Sequence, residues 1–397
     1  MDIVIQRFPT LAVNILKNLD NQSLVKFKEA SRYNFEFTIR ERFYWIRILK
    51  EYNEHFEISK KSWKMAISKT PAEFVKKLAM AVMTFFKTMS KRFLKFNFHP
   101  EENQLTPLLI AAFDGEISFF QQIKEKTFEP NKISTQSETS PIHIAAFRGH
   151  IEICQQLLQG SNNKNLYGKF GTNPLHFAAL GGHLEVFKLF HANAGVKNPK
   201  CASVSRGEAT PLHLAAREGH LKICKLIIEK EVDKNPVDNC GITPLHAAAQ
   251  HGYLDICKLI MKNVIDKNPR DHYGNTPLHF AAKTGQIDVI EFFLENITDK
   301  NPRGVVGFTP LHVAASQGFF DACKLIFNYV DEKNPLSDQG STPLHYAAQG
   351  GYLNVCKLIM ANNGDIAHKN LNGTTPMDLA MNNNHIYVIQ LFRLAAI

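Results

Sequence analysis

Histidine and cysteine are the side chains whose number and spacing in this chain could carry chemistry. The 397 residues include 17 His and 7 Cys. His143, His176, His213, His246, His279, His312 and His345 recur at a nearly fixed interval. Cys154, Cys224, Cys257, Cys323 and Cys356 each follow one of them by eleven residues. Imidazole and thiolate together are what a zinc site or a Cys–His nucleophile pair requires. The spacing argues against both. Zinc needs four ligands converging on one point, usually as pairs a few residues apart. Here each copy supplies one His and one Cys, and repetition translates the pair along the chain instead of gathering it. Phe187 and Ile290 take the Cys position in two copies, which suits an apolar packing site. There is also no Gly-rich phosphate loop, no Gly-x-Ser-x-Gly elbow and no His-Glu-x-x-His. The expectation is therefore hydrogen-bonding histidines, buried cysteines, no catalytic residue, no metal and no cofactor.

The elements that hold these residues are set by a repeat. A tag recurs as Thr106-Pro-Leu-Leu, Ser140-Pro-Ile-His and Asn173-Pro-Leu-His, then as Thr-Pro-Leu-His from Thr210, Thr243, Thr276, Thr309 and Thr342. It closes with Thr375-Pro-Met-Asp, and the gaps are 34, 33, 37 and then 33 five times. In one unit, Thr243 offers a side-chain oxygen to free backbone N–H groups, and Pro244 presets the first helical φ. Leu245, Ala248 and Ala249 give a short helix with a small packing face. Nine residues after each capping residue comes Gly115, Gly149, Gly182, Gly219, Gly252, Gly285, Gly318 or Gly351, and in the last copy Asn384. Gly and Asn are the residues that tolerate the left-handed end of a helix. A second helix follows, as in Leu254 to Ile260, and a Lys-Asn-Pro turn recurs at Lys197, Lys234, Lys267, Lys300 and Lys333. Helices of about two turns are unstable alone in water, so each unit must bury its apolar side against its neighbours.

A period of 33 carrying this tag resembles ankyrin repeats. The resemblance implies an all-α fold, an ankyrin-repeat solenoid of helix-turn-helix units with short β-hairpin turns, with nine repeats in residues 101–397. Leu109 in the first copy and Asp378 in the last stand where the inner copies have His, as expected of terminal repeats. The 37-residue gap predicts a lengthened surface loop at Cys201–Gly207. Ankyrin stacks bind proteins on a concave surface of turn tips and first helices. Residues that the repeat leaves free on that surface are Arg148, Arg217, Glu218, Gln250, Lys283 and Gln317 after the Ala-Ala pairs, and His272, Tyr273 and Arg303 at the turns. Tyr and Arg are favoured interface anchors, so Tyr273, Arg217 and Arg303 come first.

The net charge of +9 sits in the first hundred residues, which hold 19 Lys/Arg against 9 Asp/Glu; residues 101–397 hold 27 against 28. The longest uncharged apolar run, Leu78 to Phe86, is too short to span a membrane. There is no secretory signal at the N-terminus, and the seven cysteines are expected as reduced thiols in the cytoplasm or nucleus. No nucleic-acid-reading motif accompanies the basic residues, so neither nucleic acid nor membrane is the expected partner.

Residues 1–50 read as three short helices that bury little surface alone. Phe8-Pro9, Ile15-Leu16, Leu19-Asp20, Leu24, Ser31-Arg32 and the aromatics ending at Trp45 resemble an F-box, the motif that docks on the Skp adaptor of cullin–RING ubiquitin ligases. The resemblance implies adaptor contacts by Phe8, Pro9, Ile15, Leu16, Leu19, Leu24, Ser31 and Arg32. The spacing from Pro9 to Asp20 is one residue short of the common pattern, and Ala30 replaces the usual Val; the alternative is an unrelated helical cap. Residues 51–100 form a basic helical linker or N-terminal cap. Thr70-Pro-Ala-Glu73 is a capping box opening a helix through Phe74, Leu78, Val82 and Phe86, which lays its aromatic stripe on the adjoining domain or, as the alternative, on a membrane surface. The order of parts predicts a substrate-recruiting subunit of a Skp–cullin–F-box ligase whose repeats hold the target. The alternative is a scaffold or inhibitor with no ligase connection.

Overall fold

A computed structural model describes residues 112–113, 115, 117–124, 140–159, 167, 171–195, 198–201, 208–362 and 365–395. The F-box-like residues Phe8, Pro9, Ile15, Leu16, Leu19, Leu24, Ser31 and Arg32, the basic segment 51–100 and the first tag at Thr106 lie outside the described residues. The chain divides into two compact units, residues 1–162 and 163–397.

In the first unit, α1 (Ile117–Lys124), α2 (Pro141–Arg148) and α3 (Ile151–Gln159) are described. Helix α3 packs on both α1 and α2. Ile142, Ile153, Leu157 and Phe120 are fully buried between them. The Lys124 ammonium donates to the Gln156 carbonyl at 2.7 Å.

The second unit is a two-layer array of helix pairs. They are α4 (Pro174–Gly181) with α5 (Leu184–Asn193), α6 (Pro211–Glu218) with α7 (Leu221–Lys230), and α8 (Pro244–His251) with α9 (Leu254–Asn263). Next come α10 (Pro277–Thr284) with α11 (Ile287–Asn296), and α12 (Pro310–Gln317) with α13 (Phe320–Tyr329). The array continues with α14 (Pro343–Gln349) and α15 (Leu353–Ala361), then α16 (Pro376–Asn382) and α17 (Ile386–Ala395). First helices pack on first helices from α4 to α16, and second helices on second helices from α5 to α17. The Ala pairs, such as Ala248-Ala249, are fully buried; their small side chains let the first helices approach closely. Leu245, Ile256, Cys257 and Ile260 fill the space between the layers. Each buried Leu or Ile contributes about 1.5–3 kcal/mol, and that contribution comes from neighbours, not from the helix itself.

The helix ends follow the sequence closely. Gly252 ends α8 at φ +79°, and a Cβ there would stand 2.2 Å from Oε1 of Gln286 in the next repeat. The position needs glycine for its backbone, whereas the amide end of Gln286 could swing aside from a Cβ. In the last copy Asn384 takes the same left-handed role at φ 58°. Between repeats the turns are narrow. Among the described residues they form no strand ladder; each is closed by a pair of backbone bonds, as from Asp271 N to Asn275 O at 2.9 Å and from Gly274 N to Asp271 O at 2.9 Å. The arms are too short for a second rung, and a side chain supplies the rest: Asp271 Oδ1 accepts from Tyr273 N at 2.9 Å and from Asn275 N at 2.7 Å. Neighbouring turns also bond to one another, as from His272 N to Cys240 O at 2.9 Å. The lengthened connection is pinched at its base by an isolated bridge between Cys201 and Ala209, with Lys200 and Glu208 paired at 2.7 Å beside it.

Candidate protein-binding site

The repeated histidines are consumed by the fold. At Thr210, Thr243, Thr276, Thr309 and Thr342 the backbone N–H donates to Nδ1 of the His three residues on, at 3.2, 3.1, 3.0, 3.2 and 3.1 Å. The hydroxyl of each Thr reaches the same nitrogen at 2.9 or 3.0 Å. The imidazole thus occupies the place that Glu takes in an ordinary capping box. The capping is reciprocal: the Thr hydroxyl serves the imidazole at short range and also faces the helix N–H of that His, at 3.5 Å in the Thr243 copy. With Nδ1 accepting, Nε2 carries the proton. It donates across to the next repeat, from His213 to Ile242 O at 3.0 Å and from His246 to Asn275 O at 3.2 Å. The series continues from His279 to Phe308 O at 3.0 Å, His312 to Ser341 O at 3.1 Å and His345 to Thr374 O at 3.1 Å. Each acceptor lies immediately before the next capping Thr, so one imidazole staples each repeat to the next. Asp378 accepts from Thr375 N at 2.8 Å and Thr375 Oγ1 at 2.7 Å, and as a carboxylate it has no proton to hand on. Those bonds hold its carboxyl below the usual range.

Burial holds His213, His246, His279 and His312 neutral, lowering their pKa to about 4. The same cause pushes the thiols of Cys154, Cys224, Cys257, Cys323 and Cys356 up to about 12. Thiols this basic are neither nucleophiles nor ready metal ligands. Among the described residues no three His, Cys, Asp or Glu side chains gather as a metal would require, and no helix is long and apolar enough to cross a membrane.

The turns and first helices share one side of the second unit. Phe308, at the base of one turn, packs against Tyr346 of α14 with ring centroids 4.7 Å apart. On this side Arg217, Gln250 and Lys283 take the same register on α6, α8 and α10, and Gln317 comes one position later on α12. Lys283 and Gln317 are exposed; Arg217, Glu218 and Gln250 are half-buried. Arg217 Nε contacts Glu218 Oε1 at 3.3 Å. His272 and Tyr273 stand exposed at a turn tip, with Tyr273 at 64%. Two expected display residues are engaged elsewhere. Arg303 donates to the Leu336 carbonyl of the next turn, just as Arg270 donates to Arg303 O at 2.7 Å; these guanidiniums clip turn to turn. Arg148, in the first unit, lies 4.4 Å over the Phe113 ring and donates to the Phe113 carbonyl at 3.3 Å.

Tag, turn and imidazole staple together describe one unit, and the family description "Ankyrin repeats (3 copies)" matches the chain in overlapping stretches over residues 108–200, 142–238, 175–271, 212–304, 266–335 and 311–395. The chain belongs to the ankyrin-repeat family. No curated protein matches it. Ankyrin repeats are binding scaffolds for proteins and generally not catalysts, which agrees with imidazoles and thiols locked into the stack. The ankyrin surface also holds residues that the sequence pattern passed over. The residue directly after the tag His is Phe280, Val313 and Tyr346 in consecutive repeats, half-buried on α10, α12 and α14. Its variation from Ala247 to Tyr346 is the signal that would have found it.

Proposed function

We propose that this ankyrin-repeat chain recruits a target protein to a Skp–cullin ubiquitin ligase, the N-terminal F-box-like residues holding the adaptor and the repeats holding the target. The observation that carries it is the order of parts: Phe8-Pro9, Ile15-Leu16 and Leu19 ahead of a stack whose repeated polar side chains are spent on its own cohesion. The mechanism is proximity. The chain performs no bond-making step; holding a target beside a ubiquitin carrier raises the effective concentration of the target's lysines. The varied side chains Arg217, Glu218, Gln250, His272, Tyr273, Lys283 and Gln317 in the second unit would meet the target.

The test is co-purification of the full chain with a Skp-type adaptor, repeated with Pro9, Leu16 and Leu19 changed to charged residues. The proposal expects adaptor in the first sample and none in the second, with helical circular dichroism unchanged. No adaptor on the intact chain removes the ligase role and leaves an ankyrin scaffold.

A further inference from the structure

The last helix pair inverts the polarity of the others. On the outer side of the second helices, three registers carry exposed charges: Asp255, Lys258 and Lys262 on α9, and Asp288, Glu291 and Glu295 on α11. On α13 and α15 the middle register keeps its charge as Lys324 and Lys357. On α17 the same three registers hold Tyr387, Gln390 and Leu394. Ile386, Tyr387 and Leu394 stand 64%, 74% and 74% exposed, while Val388 and Phe392 on the opposite side are buried. Only Gln390 and Arg393 are polar in the whole of α17, so the helix is apolar on nearly every side, the pattern of a helix that is covered all round. A terminal repeat left to water needs a polar outer face.

A further repeat does not fit this helix pair. Asp378 stands where the inner copies have the stapling His, and it accepts from its capping Thr without a proton to hand on. Arg393 is exposed at the register where Met261, Leu294 and Phe327 are buried. A unit stacked here would meet a carboxylate and a guanidinium in place of a staple and an apolar side chain. The apolar stripe lies on the outer side, so its occupant is not a continuation of the stack.

The stripe fits a second copy of itself. Ile386, Gln390 and Leu394 follow one another at four-residue spacing along one face, with Gln390 at the midpoint. Two such helices laid antiparallel across a two-fold axis at Gln390 bring Tyr387 of each against Leu394 of the other, and Ile386 against the aliphatic stem of Arg393. The two Gln390 carboxamides meet on the axis, where each is both donor and acceptor and can satisfy the other. No like charges are opposed: Arg393 is the sole charged side chain of the helix, and the axis sends its two copies to opposite ends of the contact. The size agrees as well. Ile386, Tyr387 and Leu394 expose roughly 300 Å² of apolar surface between them, more than half of the about 450 Å² of apolar area that each partner hides in a standard interface. Half-buried Leu391 and exposed Ala395 border the stripe and extend it.

We infer that α17 is a homodimer contact, pairing antiparallel with α17 of a second copy of this chain. The contact uses the layer of second helices, leaves the turns and first helices free for a target, and does not rest on the ligase role. Two copies joined there carry two target-binding surfaces in one particle.

Sedimentation velocity of the full chain between about 0.5 and 50 μM tests this. The expected species has twice the monomer mass, in an equilibrium that shifts with concentration. Tyr387→Asp and Leu394→Asp each raise the dissociation constant at least about tenfold, with helical circular dichroism unchanged. Gln390→Lys and Gln390→Glu are each monomeric, because like charges then face one another on the axis, and mixing the two restores a dimer. A chain that stays monomeric over the whole range overturns the inference and leaves α17 to a different protein or to the first hundred residues. A dimer indifferent to Tyr387→Asp and Leu394→Asp overturns it too, because the contact then lies elsewhere. Dimers lost in both Gln390 variants and not restored on mixing, or assemblies that grow beyond two copies, refute the two-fold pairing.

Discussion

Acid should dismantle the second unit through its imidazole staples, well above the pH at which exposed carboxylates protonate. His213, His246, His279 and His312 are buried and neutral, with pKa near 4 against about 6.5 in an unfolded chain. Because the folded pKa is depressed, the unfolded state binds more protons between the two values, and stability rises with pH there. The contribution is complete above pH 6.5 and is lost as pH falls toward 4. At pH 5 each residue forfeits about 2 kcal/mol, and the four together about 8 kcal/mol. A domain's whole stability is about 5–15 kcal/mol, so that loss is of the same order as the stability of the stack. The same protonation leaves Nδ1 unable to accept from the capping Thr, so the damage is structural as well as electrostatic. Urea unfolding followed by circular dichroism at pH 7.5, 6 and 5 measures it. The midpoint should drop steeply, and helicity without urea should collapse near pH 5. In His246→Gln, whose amide keeps an acceptor and a donor, stability at pH 7.5 falls, but the acid dependence weakens by about a quarter. An unchanged urea midpoint between pH 7.5 and 5, or an acid dependence identical in His246→Gln, would refute the staple argument.

Other perturbations separate local from cross-repeat effects. Gly252→Ala and Gly373→Ala should each cost about 1 kcal/mol of backbone strain, since both have positive φ and a Cβ meets only the amide end of the flexible Gln286 side chain in the first and nothing within 4 Å in the second; urea melts compare them. Val306→Gly should relieve the left-handed valine and hold or raise stability by about 0.5–1 kcal/mol, and a clear loss would show that the side chain packs instead. The buried thiols should resist an aromatic disulfide reagent in the native protein, with Cys240, the one cysteine that is not fully buried, reacting first and all seven appearing in denaturant. Arg303→Ala should lower the melting temperature by removing its bond to the Leu336 carbonyl, whereas Lys283→Ala should leave it unchanged.

Much of this molecule is local, and what is local is written in the chain. The capping Thr, the Pro after it and the Gly nine residues on each dictate a backbone conformation at their own position, so the helix pairs and even the left-handed Asn384 could be read directly. The assignment of His to hydrogen bonding followed from one-per-copy spacing, because a ligand set has to converge and a translated residue cannot. The partners of those imidazoles were a different matter. Their acceptors lie 29 residues ahead, and no propensity encodes a bond that exists only once one repeat is laid on the next. Arg303 illustrates the same limit: it looked free to vary and is a clip between turns. Val306 illustrates it too: its left-handed backbone at φ 50° lies in a turn whose Val305 N–H is held by Asn275 of the preceding repeat. The period and the conformation of each unit belong to sequence, and the staples and the clips belong to superposition, because stacking alone brings side chains from separate copies within bonding distance.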